Sequence, residues 1–433
     1  MTWLWDVSTV SGALPVVLSI LGVLGLVALL LRRDRPWWRV RLPITLGVAL
    51  VITAAADLVV EVWRPFPESL PVRVLVWGGV GVWAVVLVVA RARRGRWWGM
   101  VGLTAAMVLV VALSAMKINA VYGYRPNLGA VFGVPQISEV DFAALAAARP
   151  TVAATPHQPL SLSWRPPADQ PQRGEVTRVA IDGTRSGFRA RQAMVYVPPA
   201  YLGSVRPELP VLVLIPGQPG GPEDWFVAGK LASIMDGFAA AHAGLAPIVV
   251  VPDATGSTLA NTLCLDSQLG NVETYLAEDV PAWLTQHLQV DPDRSHWAIG
   301  GFSFGGTCAL QLALRRPAVY PTFLDISGRP EPTLGDHART VQAAFGGDED
   351  RFRAVNPLDI LAAGQFPGTA GYVVTGRDDP DVPVATRPLP AAAQRAGVAL
   401  RMEQLHGGHT WAIAITGLQH ALPWLASRGG LVP

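Results

Sequence analysis

Four stretches within the first 116 residues constrain this chain most: Gly12 to Leu31, Leu42 to Val60, Val74 to Ala90, and Trp97 to Met116 contain no Asp, Glu, Lys or Arg except Asp57. A helix rising about 1.5 Å per residue needs roughly 20 apolar residues to cross a hydrocarbon core. Each run is of that length, so four transmembrane helices are expected within residues 1–120. The first run is not a cleaved signal peptide on this reading, because no basic segment precedes it and its apolar core is too long. A hydrophobic content of 51% against only 15% charge then needs no further explanation, since the excess is concentrated in these runs.

The connecting loops predict the orientation. Arg32, Arg33, Arg35, Arg39 and Arg41 separate the first two runs, and Arg91, Arg93, Arg94 and Arg96 separate the last two. Basic loops stay on the cytoplasmic side. An even number of crossings then puts both termini outside, and the large C-terminal domain is expected to be extracytoplasmic at a bacterial cell membrane. Trp37, Trp38, Trp97 and Trp98 flank the runs where amphipathic rings favour the headgroup level. Asp57 and Glu61, four residues apart, fall near the outer end of the second run and are expected to reach the interface. The arginines are thereby accounted for by topology, and with a net charge of only +2 no nucleic-acid partner is expected. Two cysteines, Cys264 and Cys308, are too few for a thiolate zinc site or a disulfide scaffold. They leave open one bridge or two buried thiols. No metal or cofactor is implied.

After the spans, residues 121–174 read as an interfacial segment around Tyr122, Tyr124 and Phe132, followed by a linker. In that linker Pro150, Pro156, Pro159, Pro166, Pro167 and Pro171 interrupt any helical pattern. Residues 175–433 alternate short apolar strands with helical segments, which is the pattern of an α/β fold with a mainly parallel sheet and helices on both faces. Buried strands are expected at Val211–Ile215, Ile248–Val251, Trp297–Ile299, Thr322–Ile326 and Tyr372–Thr375, and an antiparallel edge at Val176–Ile181 and Met194–Val197.

Directly after the third of these buried strands comes Gly301-Phe302-Ser303-Phe304-Gly305-Gly306, and then a good helical sequence. Strand, glycine-flanked serine and helix together form a nucleophile elbow, which exposes the serine oxygen at a helix N-terminus. Serine needs a base, and in this arrangement the acid and then the histidine follow in the chain. His409 is the expected base, since Gly407 and Gly408 let its loop project it; His406 is the competitor. Gly376-Arg377-Asp378-Asp379 supplies two candidate acids, with Asp379 preferred and Asp378 the alternative. For the oxyanion hole, the N–H of Phe304 is one expected donor. The loop Pro216-Gly217-Gln218-Pro219 offers Gln218 as the other, because proline has no N–H.

These residues carry a resemblance to the esterase group that includes esterase D, feruloyl esterases and the antigen 85 mycolyltransferases. It runs over roughly residues 175 to 428 and rests on the elbow, on Phe345-Gly346-Gly347-Asp348, and on His409 with Trp411 and Leu422-Pro423-Trp424-Leu425. The resemblance implies an α/β-hydrolase fold and a serine esterase working through an acyl-enzyme. With four preceding spans, the chain looks most like membrane-bound aminoacyl-phosphatidylglycerol hydrolases, which implies an outer-leaflet lipid as substrate. It departs from antigen 85 in having an aspartate pair and a membrane anchor, and acyl transfer in the cell envelope is the alternative. A non-catalytic receptor or assembly factor on the same fold is the alternative of another class. If the substrate carries a protonated amine, Asp253, Asp266, Glu273, Glu223 and Asp224, on loops after sheet strands, are the carboxylates expected to read it.

Overall fold

The computed structural model describes residues 2–65, 67–92, 97–134, 137–153 and 158–433. Arg93, Arg94 and Arg96 of the second basic loop, and Pro156, lie outside the described residues. The chain divides into two compact units, Met1–Gln136 and Ile137–Pro433.

The first unit holds helices α1 (Ala13–Leu30), α2 (Leu42–Trp63), α3 (Val72–Arg91) and α4 (Trp97–Tyr122). All four are long and apolar enough to cross a membrane. Small residues let two of them approach closely. A Cβ on Gly22 would come within 2.6 Å of the Leu113 Cβ, and one on Gly25 within 2.8 Å of the Ala106 carbonyl oxygen, which is how helices gain packing where lipid removes the hydrophobic drive between them. The C-terminal carbonyls of α1, which have no partner within their own helix, are capped by side chains. Trp37 Nε1 donates to Leu30 O at 2.8 Å and Arg91 Nη1 to Leu29 O at 2.6 Å.

The expected three-part organisation is corrected at the segment 121–174, which forms no unit of its own. Its first part belongs to the helical unit: Leu128 N–H donates to Val7 O at 3.0 Å and Gly129 N–H to Trp5 O at 2.9 Å. From Ile137 onward it belongs to the second unit. Val140 N–H donates to Val176 O at 2.9 Å, and Thr151–Val152 pairs with Arg206–Pro207. The proline-rich stretch is therefore docked chain rather than a linker. Its prolines exclude a long helix, yet Leu160 and Trp164 between them are buried, and backbone N–H groups of Leu160 and Ser161 donate to Gly430 and Leu431.

The second unit is built on eight strands: β1 (Glu175–Val179), β2 (Ala193–Val197), β3 (Val211–Ile215), β4 (Ile248–Val251), β5 (Ala298–Phe302), β6 (Thr322–Ile326), β7 (Ala370–Gly376) and β8 (Ala399–Leu405). Their spatial order is β8-β7-β6-β5-β3-β4-β2-β1. Only β2 runs antiparallel to its neighbours; every other pairing is parallel. Strands β2 to β6 are buried at every position, as a parallel sheet covered on both faces requires. Strand β5 starts at Ala298 and runs through the glycines to Phe302, further than its apolar run suggested, because the ladder to β6 extends to the Phe302–Ile326 pair. Helix α5 (Phe304–Arg315) follows β5 and α6 (Trp411–Arg428) follows β8. A disulfide joins Cys264, in the loop after β4, to Cys308 on α5, with Cα atoms 5.5 Å apart.

Candidate active site

The elbow is sharp because two glycines make it so. A Cβ on Gly301 would meet the Gly305 backbone at 2.3 Å, and one on Gly305 would lie 2.1 Å from the Ile215 carbonyl oxygen. Between them Ser303 holds φ 58° and ψ −117°, a conformation non-glycine residues rarely adopt. Its N–H donates to Ile326 O at 2.8 Å, and its carbonyl accepts from Gly306 and Thr307. The side chain is thus carried above the C-terminal edge of the sheet, where open α/β sheets place their sites.

His409 is delivered by the loop after β8. Its Nε2 lies 2.7 Å from Ser303 Oγ and its Nδ1 2.7 Å from Asp379 Oδ2. The three side chains come from loops after β5, β7 and β8. Asp379 is 6% exposed, and its second oxygen accepts from the N–H groups of Asp381 and Val382. Burial by itself raises a carboxyl pKa, but the hydrogen bond and charge of His409, with those two N–H donors, outweigh it and hold Asp379 below the ordinary carboxylate range. Asp378 is exposed, and its Oδ2 accepts from Gly407 N–H at 3.2 Å, so it ties the histidine loop to the β7 turn without touching His409. His406 is exposed on the same loop. Beside the imidazole, the Phe302 ring lies tilted with its centroid 5.1 Å from that of His409 and 5.1 Å from that of Trp411, and Trp225 meets Trp411 edge-on at 5.3 Å.

Phe304 is the first residue of α5, so its N–H has no acceptor within the helix and sits at the positive end of its dipole. On the other side the loop after β3 passes Ser303 closely: a Cβ on Gly217 would lie 3.7 Å from the Ser303 Cβ. Gln218, next in the chain, is buried, and its side-chain Nε2 donates to Leu259 O at 2.8 Å. That bond ties the loop after β3 to the segment around Leu259.

The structure corrects the reading of Asp253 and Glu273, which are buried on internal arginines, and shows bonds within the protein at Asp266, Glu223 and Asp224 as well. Asp253 is 0% exposed and grips Arg191, with Nη2 at 2.8 Å from Oδ1 and Nε at 3.0 Å from Oδ2. Burial raises its pKa, and the Arg191 bonds outweigh that and lower it. Glu273 is 2% exposed and lies between Arg315 at 2.7 Å and Arg316 at 2.8 Å. Those arginines are at the far end of α5, about 18 Å along the axis from Ser303. Asp266 accepts from Thr274 N–H and Oγ1, Glu223 pairs with Arg178 at 3.5 Å, and Asp224 accepts from Gly221 N–H at 2.8 Å. A buried carboxylate needs such partners, and loop position alone did not show that internal arginines supply them.

Residues the sequence did not single out complete the support. Arg191 Nη2 also donates to Gly220 O, bracing the loop after β3 from Asp253. Arg329 N–H donates to Thr307 Oγ1 and its Nη2 reaches Asp381 Oδ2 at 3.1 Å, linking the nucleophile helix to the turn that holds Asp379. Both links join residues far apart in the chain, and no local motif announces them. Among the described residues no cluster of His, Cys, Asp and Glu is arranged to hold a metal ion.

A serine, a histidine and a carboxylate in hydrogen-bond series at the C-terminal edge of a mainly parallel sheet define the serine ester hydrolase class, and the comparisons with known proteins agree. Residues 188–412 match the Esterase family, described as "Putative esterase", and the chain belongs to that family. It is a carboxylic ester hydrolase. An uncharacterized protein of Corynebacterium glutamicum is 36% identical over 438 residues, covering 97% of each chain. Among solved structures, a ferulic acid esterase superposes with a TM-score of 0.52 at 19% identity, over 59% of this chain and 99% of its own. An S-formylglutathione hydrolase from Agrobacterium tumefaciens gives 0.50 at 20% identity, over 60% and 97%. At these identities the two structures are similar in fold alone.

Proposed function

We propose that Ser303, His409 and Asp379 form the catalytic triad of a membrane-anchored esterase that cleaves an ester of a lipid in the outer leaflet. The observation that carries this reading is the 2.7 Å Ser303–His409–Asp379 series in a chain that also has four helices of spanning length. His409 Nε2 takes the Ser303 proton as Oγ attacks the ester carbonyl, and Asp379 holds Nδ1–H and stabilises the imidazolium. The N–H groups of Phe304 and Gln218 receive the oxyanion. Collapse of the tetrahedral intermediate breaks the ester bond, and His409 returns the proton to the leaving alcohol oxygen. Water, deprotonated by the same imidazole, then releases the acyl group. Tethering raises the effective concentration of such a site for membrane substrates and brings no advantage for freely diffusing ones. The arginine loops support the outward orientation, so a reporter active only outside the cytoplasm should work when fused at the C-terminus. A reporter working only in the cytoplasm there would reverse the orientation.

Within this reading the lipid is aminoacyl-phosphatidylglycerol, released as phosphatidylglycerol and free amino acid, on the strength of the family resemblance combined with the four spans. A neutral acyl ester is the second reading, favoured by the internal pairing of Asp253 and Glu273 described above. Liposomes containing lysyl-phosphatidylglycerol, its N-acetylated analogue or a long-chain acyl ester separate the two. Release of lysine at a rate well above the N-acetylated control supports the first. Equal rates remove amine recognition, and preference for the long-chain ester moves the assignment to the second.

A further inference from the structure

Asp325, the fourth residue of β6, is 0% exposed and takes no part in the triad. Its carboxyl lies directly behind the nucleophile turn. Oδ1 accepts from Gly328 N–H at 2.7 Å, while Oδ2 has no hydrogen-bond partner among the described residues. The space is carved for it: a Cβ on Gly306 would fall 2.2 Å from Oδ1, and one on Gly328 2.3 Å. The turn this carboxyl fastens holds the elbow at two points and β7 at a third. Ile326 O accepts from Ser303 N–H at 2.8 Å, Arg329 N–H donates to Thr307 Oγ1 at 2.9 Å, and Ser327 N–H donates to Val374 O at 2.7 Å on the strand that leads to Asp379.

We propose that Asp325 is a positioning residue for the nucleophile turn that serves in its neutral form, and that its ionisation opposes formation of the oxyanion at Ser303. As the neutral acid it keeps the Gly328 bond and places no charge behind the helix end whose N–H groups serve that oxyanion. As the anion it sets an uncompensated negative charge there, in a medium where charges act strongly. Among the described residues its one hydrogen bond comes from Gly328 N–H. The β5 residue opposite is Gly301, the β7 residue opposite is Val373, and α5 presents Gly306 and Thr307. On the α6 side Gly417 packs against Ile326. The neighbouring cation Arg329 directs its Nη2 to Asp381, and the remaining titratable groups nearby are His409 and Asp379, joined to each other. A helix N-terminus favours an anion, but the Gly306 and Thr307 N–H groups are bound to Ser303 O. Burial pushes the Asp325 carboxyl up to about 7, partly offset by the Gly328 N–H, so the neutral form persists to near-neutral pH.

The inference rests on Ser303 as nucleophile and not on the identity of the lipid, so the test uses the full chain in detergent with a small soluble chromogenic ester. The quantity read is the ratio of wild-type to Asp325→Asn kcat/KM across pH, in which titrations common to both cancel. The ratio is expected to fall about tenfold from about pH 5.5 to about pH 8.5, as the wild-type carboxyl ionises and the amide cannot. Asp325→Ser, smaller and equally unable to ionise, makes the same comparison if the amide does not fit beside Gly306. A ratio constant within about twofold overturns the proposal. Undiminished hydrolysis by Ser303→Ala would instead overturn the nucleophile assignment on which it stands.

Discussion

Large apolar side chains stand exposed all along the N-terminal helices, at Val16, Ile20, Leu24, Leu50, Val51, Leu58 and Val59 among others. In the described part of residues 137–433 those strongly exposed are Leu162, Leu259, Val384 and Met402. In the hydrolase unit apolar residues are removed from solvent and carboxylates are paired inside, with Asp253 on Arg191 and Glu273 on two arginines. In the helical unit the last carbonyls of α1 are capped by Trp37 and Arg91, apolar side chains face outward, and Gly22 and Gly25 mark the contact between α1 and α4. The helical unit's pattern is the one a lipid solvent favours and the hydrolase unit's the one water favours. The proposed triad lies in the second region, and changes in the two should have separable effects.

The largest expected effect is at the relay. Ser303→Ala or His409→Ala should lower kcat on a soluble ester by at least about 10⁴, and the double variant should be little worse, because such residues act as a unit. Additive losses would break the assignment. Asp379→Asn should cost about 10³ to 10⁴ in kcat through the wrong imidazole tautomer. Asp378→Asn, which loses one exposed bond to Gly407, should stay within about threefold of wild type. The opposite ranking would make Asp378 the acid.

Smaller effects bear on stability. The Cys264–Cys308 bridge spans 44 residues, and replacing both cysteines by serine should lower the unfolding free energy by about 2 to 4 kcal/mol, read by denaturant titration. No change would mean the fold holds that loop without the bond. Gly25→Val places side-chain atoms where the Ala106 carbonyl leaves a Cβ 2.8 Å, and should destabilise the helical unit by about 1 to 3 kcal/mol. Hydrolysis of a soluble ester by this variant should be unchanged. A parallel loss of activity would show that the two units are not separable.

The helices α1 to α4 were legible to within a few residues, because uncharged runs of spanning length have few other uses. The buried strands were nearly as plain, with Val211–Ile215 and Ile248–Val251 found as read. The elbow showed itself through glycines whose Cβ atoms could not fit. The fates of Asp253, Glu273 and the segment 137–174 were not legible. Arg191, Arg315, Arg316, Gly430 and Leu431 are distant in sequence, and long-range pairing leaves no local pattern. The choice between Asp378 and Asp379 turned on which side chain the β7 turn buries, and a one-residue difference in a turn reverses it.

The account depends above all on Ser303 being the activated nucleophile of the intact chain. Treatment of the full-length protein with a fluorophosphonate, followed by peptide mass spectrometry, tests this most directly. The account predicts a single modified peptide carrying the adduct on Ser303, lost in Ser303→Ala and strongly slowed in His409→Ala. Failure to label the folded protein, or an adduct on another serine, would contradict it.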